Sequence, residues 1–212
     1  MQVSAVEGHR LWAASYDATR NPLLALEDRV LADLQGLSVV DVACGTGRWT
    51  ARLGANVIGV DLCAEMLAQA ARKPGLPGRL LLADAGSLPI AGGVADLTLC
   101  SFAVGYFPSL DRAVAELARI TRPGGRVVIG DMHPASVAAG WARSFRVDGS
   151  AYEMRHFGYS AADILHAAHL AGLELESQRD ACFGPPEEPL FREAGKAMPD
   201  VPAVWIGRWR KP

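Results

Sequence analysis

The sequence is poor in most of the features that mark specialised classes of protein. Its four cysteines, Cys44, Cys63, Cys100 and Cys182, lie far apart and form no C-x-x-C pair. A disulfide framework or a zinc site is therefore not expected, and reduced thiols in a cytoplasmic protein fit better. No metal ligand set is expected either. Neither sign of charge dominates, with 21 basic residues against 23 acidic ones. A field steering the chain to nucleic acid or to an anionic membrane is thus excluded as a general property. The tail Arg208-Trp209-Arg210-Lys211 is the one basic cluster and reads as a solvated end. No apolar run approaches the roughly 20 residues that cross a bilayer. Residues 1–16, with Glu7, His9 and Arg10, do not read as a signal peptide.

What is present is an ordinary globular composition, half apolar and one-fifth charged over 212 residues, enough to bury the core of one domain. Short β-branched runs alternate with helical stretches. Ser38 to Ala43, Asn56 to Asp61, Arg79 to Ala83, Asp96 to Phe102 and Arg126 to Asp131 read as strands covered on both faces. Gly47 to Leu53, Ala64 to Arg72 and Asp111 to Ile120 read as the helices between them. This alternation implies a parallel sheet with right-handed crossovers. A helix opened by Ser160, then strands at Leu173 to Gln178 and Val204 to Trp209, predict an antiparallel edge.

Two segments depart from the repeat. Ser4 to Gln35 reads as two helices parted at Asn21-Pro22, with Pro22 suited to begin the second. Between His133 and Tyr159, Asp148-Gly149 predicts a two-residue hairpin that pairs Val147 with Ser150 and Phe145 with Tyr152. The expected fold is α/β: a doubly wound, mainly parallel seven-stranded sheet, Rossmann-like, with an antiparallel edge strand. A helical N-terminal cap (1–35), a cofactor-binding core (37–131), a hairpin lid inserted after the fifth strand (133–159) and a C-terminal helix and strands (160–212) make up a single domain.

The chemistry is concentrated in Asp41-Val42-Ala43-Cys44-Gly45-Thr46-Gly47, which follows the first predicted strand and opens a helix. Small residues there let the backbone approach a ligand, and the helix start offers unpaired N–H groups. A dinucleotide fingerprint would place a third glycine where Thr50 stands, and no G-K-[ST] follows for a phosphate loop. The stretch resembles motif I of class I S-adenosylmethionine-dependent methyltransferases, with Ala43 in place of the first glycine. Val60-Asp61, Ala83-Asp84-Ala85, Asp96 to Phe102 and Arg122-Pro123-Gly124-Gly125-Arg126 resemble the later motifs of that family in the same order. Tyr16-Asp17 is similar to the cap of the small-molecule branch, the ubiquinone- and menaquinone-biosynthesis (type 11-like) methyltransferases.

The resemblance implies S-adenosyl-L-methionine as cofactor, S-adenosyl-L-homocysteine as product, and a small-molecule acceptor methylated on O, N or C. It implies a binding set of Tyr16, Asp41, Ala43, Cys44, Gly45, Gly47, Asp61, Leu62, Met66, Asp84, Ala85, Ser101 and Phe102. Asp61 would sit on the ribose and Asp84 on the adenine amine. His133, just past the fifth strand, is the expected general base, with Tyr106 a second catalytic candidate and His9 a lesser one. Trp12, Tyr106, His133, Phe145, Tyr152 and His156 are the expected acceptor pocket. A monomer or homodimer is expected, with neither nucleic acid nor membrane as partner. The competing readings are a catalytically silent adenosylmethionine-binding scaffold and a nucleic-acid methyltransferase. The second lacks an N-P-P-Y-like segment where Ser101-Phe102-Ala103-Val104 stands.

Overall fold

A computed structural model describes every residue except 37 and 55; the boundary expected at residue 37 lies outside the described residues. The strands in chain order are β1 (Gln2–Val3), β2 (Val39–Val42), β3 (Val57–Asp61), β4 (Leu80–Leu82), β5 (Ala95–Ser101), β6 (Thr121–Met132), β7 (Ser144–Val147), β8 (Ser150–Met154), β9 (Glu174–Ala181) and β10 (Val204–Arg210). The α-helices are α1 (Ala5–Trp12), α2 (Pro22–Val30), α3 (Arg48–Arg52), α4 (Ala64–Ala70), α5 (Leu110–Ile120), α6 (Pro134–Ala138), α7 (Ala161–Leu170) and α8 (Glu188–Glu193), with 3₁₀ turns at Ala13–Ala18 and Val104–Tyr106.

Seven strands form the main sheet in the order β4-β3-β2-β5-β6-β10-β9. The strands from β4 to β6 run parallel, and β10 is antiparallel to both β6 and β9. The antiparallel strand therefore lies one place in from the edge, with β9 outside it. The reason is compositional. β10 carries Val204, Trp205, Ile206 and Trp209, all buried, whereas β9 is exposed along most of its length and carries Glu174, Glu176, Arg179 and Asp180. Charged side chains on an outer strand discourage edge-to-edge pairing.

Helices cover both faces. Leu110, Val114 and Leu117 of α5 pack on one side with Ile164 and Ala167 of α7. Leu23, Leu26 and Val30 of α2 pack on the other with Trp49 of α3 and Phe191 of α8. The caps follow the sequence: Asn21 accepts from Leu23 N–H ahead of Pro22, and Ser160 with Asp163 forms a capping box on α7. β6 begins five residues before the expected Arg126. Its pairing to β5 jumps from Thr121 to Arg126, so Arg122–Gly125 bulges out, and Gly124 N–H donates to Lys211 C=O instead. The expected turn is thus a bulge inside a strand.

The hairpin has the expected register, Val147 with Ser150 and Phe145 with Tyr152. Asp148 (φ 48°) and Gly149 (φ 78°) supply the left-handed turn. An unanticipated partner joins it: β1 pairs in parallel with β8, Gln2 to Glu153 and Val3 to Met154. The N-terminal cap and the inserted hairpin are therefore one unit, a three-stranded sheet of order β1-β8-β7 under α1.

Candidate functional site

The sheet changes direction between β2 and β5, where crossovers go to opposite sides. In doubly wound sheets ligands bind in the crevice outside the carboxyl ends of the strands at this point. A cleft lies there, enclosing about 1090 Å³ with its open mouth included. Its floor is the segment after β2. Ala43 (φ 58°), Gly45 (φ 55°) and Gly47 (φ 76°) all take left-handed backbone, which folds the chain back on itself before α3. A side-chain carbon at Gly45 would meet no atom within 4 Å, whereas at Gly47 it would lie 2.7 Å from Leu76 Cδ1. The two glycines therefore have separate jobs. Gly45 borders the cleft, and Gly47 lets α4 and the following turn pack close to α3; Gly47 does not line the cleft.

Asp61, at the end of β3, fixes this loop. Its Oδ2 accepts from Gly45 N–H (2.7 Å) and its Oδ1 from Cys63 N–H (2.8 Å). Asp84, exposed after β4, accepts from Gly86 N–H (2.7 Å) in a tight turn. Asp41 acts differently from expectation. It is buried and accepts the Thr50 hydroxyl (2.7 Å) in place of loop amides. Burial pushes its carboxyl up to about 7.

Beneath the cleft lies a polar cluster that the sequence reading did not single out. Glu27 is fully buried. It accepts from Trp49 Nε1 (3.1 Å) and from Ser101 Oγ (2.7 Å), and pairs with Arg48, which also pairs with Asp28. The spacing of α2 held the signal, since Glu27 stands in the buried stripe Leu23, Leu26, Val30. A carboxylate within an apolar stripe needs a partner. The cap is tied to the glycine loop from above: Thr46 Oγ1 donates to Asp17 (2.6 Å), and Lys73 reaches both Asp17 (2.8 Å) and the Thr46 carbonyl (2.7 Å).

Of the expected binding residues, Tyr16, Asp41, Ala43, Cys44, Gly45, Asp61, Leu62, Met66, Asp84, Ala85, Ser101 and Phe102 all border the cleft. Phe102 does so in a left-handed conformation (φ 51°), local strain of the kind held at functional sites. Tyr16 is a cleft wall whose phenol burial raises to about 12, so it stays protonated. Cys44 and Cys100 are buried thiols pushed well up by burial, unsuited to nucleophilic chemistry.

The expected acceptor pocket does not assemble as a unit. Tyr106 lines the cleft, but His133, Trp12, Phe145, Tyr152 and His156 do not. His133 caps α6, its Nδ1 accepting from Ala135 N–H (3.0 Å), and its Nε2 lies 3.4 Å from Asp180 on β9. Its strand, β6, is one place beyond β5, and the ring turns toward the β9 side, away from the switch point. Trp12 stacks on Phe145 (4.9 Å, 7°), which stacks on Tyr152 (5.3 Å, 16°). These rings form the lid's own core with Met154 and buttress Tyr16, whose ring meets Trp12 edge-on at 4.6 Å. His156 borders a second cavity with Asp131, Arg143, Phe157 and Tyr159. The two cavities share a wall in which the Arg143 guanidinium lies 4.7 Å over the Tyr106 ring and pairs with Asp131. His9 of α1, a lesser candidate from sequence, does line the cleft. No group of three or more His, Cys, Asp or Glu among the described residues is placed to hold a metal, and no helix among them is long and apolar enough to cross a membrane.

Comparison with known proteins returns one family across this region. The profile of the methyltransferase domain matches residues 40–129. A malonyl-[acyl-carrier protein] O-methyltransferase of Pectobacterium atrosepticum is 32% identical over 206 residues, spanning 94% of this chain and 79% of the relative. A demethylmenaquinone methyltransferase of Thermus thermophilus is 38% identical over 104 residues, 45% of this chain and 47% of the relative. Among solved structures, an S-adenosylmethionine dependent methyltransferase from Mesorhizobium loti superposes with a TM-score of 0.62 at 24% identity, covering 94% of this chain and 98% of that one.

Proposed function

This chain belongs to the S-adenosylmethionine-dependent methyltransferase family, and we propose that its cleft carries the methyl group of that cosubstrate to a small acceptor by in-line displacement. The observation that carries the reading is the convergence of Ala43–Thr46, Asp61, Asp84 and Phe102 on one cleft at the switch point. These residues suit the cosubstrate. Asp61 and Asp84 offer carboxylate oxygens to nucleoside hydroxyls and an exocyclic amine, and the open face of Gly45 admits close approach to the backbone. Leu62, Met66, Val60 and Phe102 provide an apolar wall for the base and the thioether chain.

The bound cosubstrate supplies an activated methyl on a sulfonium. What remains for the protein is to align the acceptor and exclude water. Alignment is worth on the order of 7–11 kcal/mol of a barrier, and desolvation sharpens a nucleophile further. The lid of α1, β1, β7 and β8 is suited to that task, because Tyr16, His9 and Tyr106 close the cleft from the side opposite the glycine loop. Four free thiols agree with a cytoplasmic location.

Calorimetric titration with S-adenosylmethionine, its demethylated product and NAD tests the reading. Binding of the first two and weak or no binding of NAD is the expected result; NAD binding in their place would overturn it. A second reading of the acceptor, a carboxylate on an acyl carrier, is favoured by the 32% identity to the malonyl-[acyl-carrier protein] relative across 94% of this chain.

A further inference from the structure

The cleft's lining bears on which acceptor it receives. A carboxylate acceptor is already an anion: it needs a cation to bind it and no base to activate it. A neutral phenol, enol or amine needs the reverse, a site without a free cation and with a proton acceptor. Among the described residues that line the cleft, the one guanidinium is Arg48, held by Glu27 and Asp28. Arg143 lies behind Tyr106 and is taken up by Asp131 and the Phe102 carbonyl. The rest of the lid side is Ala5, Val6, Tyr16, Tyr106, Phe107, Pro108 and His9, which is apolar or aromatic apart from the imidazole.

The state of that imidazole follows from one contact. His9 Nδ1 lies 2.8 Å from the Ala5 carbonyl. A carbonyl only accepts, so Nδ1 carries the proton and Nε2 keeps its lone pair. Among the described residues Nε2 has no protein partner, and it is not among sealed, unpaired atoms, so it opens to the cleft that His9 lines. The ring is held edge-on to Tyr106 at 5.1 Å, and the same α1 turn is fixed by Gly8, where an added carbon would fall 2.4 Å from Met154 Cγ.

Resting on the methyltransferase reading above, we propose that His9 Nε2 is the proton acceptor of the reaction and that the acceptor is a neutral, protic, largely aromatic small molecule. The acceptor's oxygen or nitrogen lone pair forms the bond to the methyl carbon as the carbon–sulfur bond breaks with its electrons onto sulfur. The acceptor's proton passes to Nε2, leaving a neutral methylated product and an imidazolium that returns the proton to water. Burial holds His9 below the usual histidine range; Asp61 at the end of β3 pulls it up and Arg143 before β7 pulls it down. The Tyr106 phenol, the other titratable group against the ring, stays protonated because burial raises it. His9 is thus neutral at pH 7, and turnover rises with pH through its titration and then levels.

The test uses the full chain, S-adenosylmethionine and two acceptor sets: simple phenols and hydroquinones, and the malonyl thioester of a short thiol. The expected result is turnover on the first set. His9→Gln then loses about 10²–10³ in kcat and its acid limb, while calorimetric affinity for the cosubstrate stays within about twofold of the parent. Nitrogen-15 NMR of the unliganded chain should show the Nδ1–H tautomer with a depressed titration. Unchanged kcat in His9→Gln, a surviving acid limb, an Nε2–H tautomer, turnover confined to the malonyl thioester, or no turnover on either set with the cosubstrate bound would each overturn the proposal. Failure of the parent chain to bind S-adenosylmethionine strikes the methyltransferase reading itself, and the two failures are thereby separated.

Discussion

The glycine-loop side of the cleft and the lid facing it are built on opposite plans. On the loop side, Asp41 to Thr46, Asp61 to Met66, Asp84 and Ala85, and Ser101 and Phe102 reach the cleft in chain order, each set by the strand it terminates. On the lid side, the Met1 amino group donates to the Ala151 carbonyl across 150 positions, and the aromatic stack joins Trp12 to Phe145 and Tyr152. The first plan repeats a local unit; the second depends on two remote segments finding each other. A binding function carried by local units can be inherited intact while the lid diverges around it, so the cosubstrate and the acceptor are recognised by parts of the chain under different constraints.

The largest test of the contrast is at the seam between the two. Glu27 sits on a helix of the N-terminal cap, yet its partners Arg48, Trp49 and Ser101 belong to the core. Glu27→Ala leaves the Arg48 charge, with only Asp28 beside it, and two polar groups facing a buried void. Breaking a buried pair from one side costs about 3–5 kcal/mol, a large part of a domain's stability. Denaturant unfolding should show this as a lower midpoint. A midpoint near the parent's would mean that cap and core are energetically separate.

Trp12→Ala should break the lid without breaking the core. Trp12 stacks on Phe145 and donates Nε1 to Thr19 (3.2 Å). Truncating a buried tryptophan costs about 3 kcal/mol or somewhat more. The loss is expected as faster amide exchange in β7 and β8, with the amides of β2 and β5 protected as before. Equal loss of protection in both would make the lid and core one cooperative unit.

Asp61→Ala probes the loop side alone, where the expected effect is smaller. It removes the acceptor for Gly45 and Cys63 N–H and the carboxylate offered to the ribose. Cosubstrate affinity should fall by about 1–3 kcal/mol, measured by calorimetry, with the lid's amide exchange unaffected. Unchanged affinity would remove Asp61 from the binding set.

The same contrast explains what was legible in the sequence. The strands, the helices between them and twelve cleft residues follow from runs of β-branched residues, a small-residue turn and acidic strand ends, all short-range signals. The hairpin was legible because Asp148-Gly149 dictates its own turn. Which lid residues face the cleft was not. Aromatic residues at Trp12, Phe145 and Tyr152 serve a pocket wall and a small hydrophobic core equally well, and only the pairing of β1 with β8 decides between them. His133 was misplaced for a related reason. Its position after a strand is a local fact, but the rank of that strand relative to the switch point is a property of the whole sheet. His9 gave no periodic signal, since its role follows from one carbonyl four residues earlier and from a lid closed by the far end of the chain.

The smallest effect is expected at the one motif position where this chain departs from its family. Ala43 holds φ at 58°, a conformation that costs an L-residue about 1–2 kcal/mol. Glycine would relieve that strain but gives back about 0.5–1 kcal/mol through the extra freedom of its unfolded chain. Ala43→Gly should therefore raise stability by no more than about 1 kcal/mol, with the net set by the difference of the two terms. The Ala43 methyl also rests against the core cluster that contains Val42, Val60 and Ala85, a contact the variant loses. A raised melting temperature with unchanged cosubstrate affinity would show that the alanine is tolerated strain on the loop side. A lowered one would show that its methyl contact outweighs the strain, and that even this most local part of the site is held in shape by packing from outside the motif.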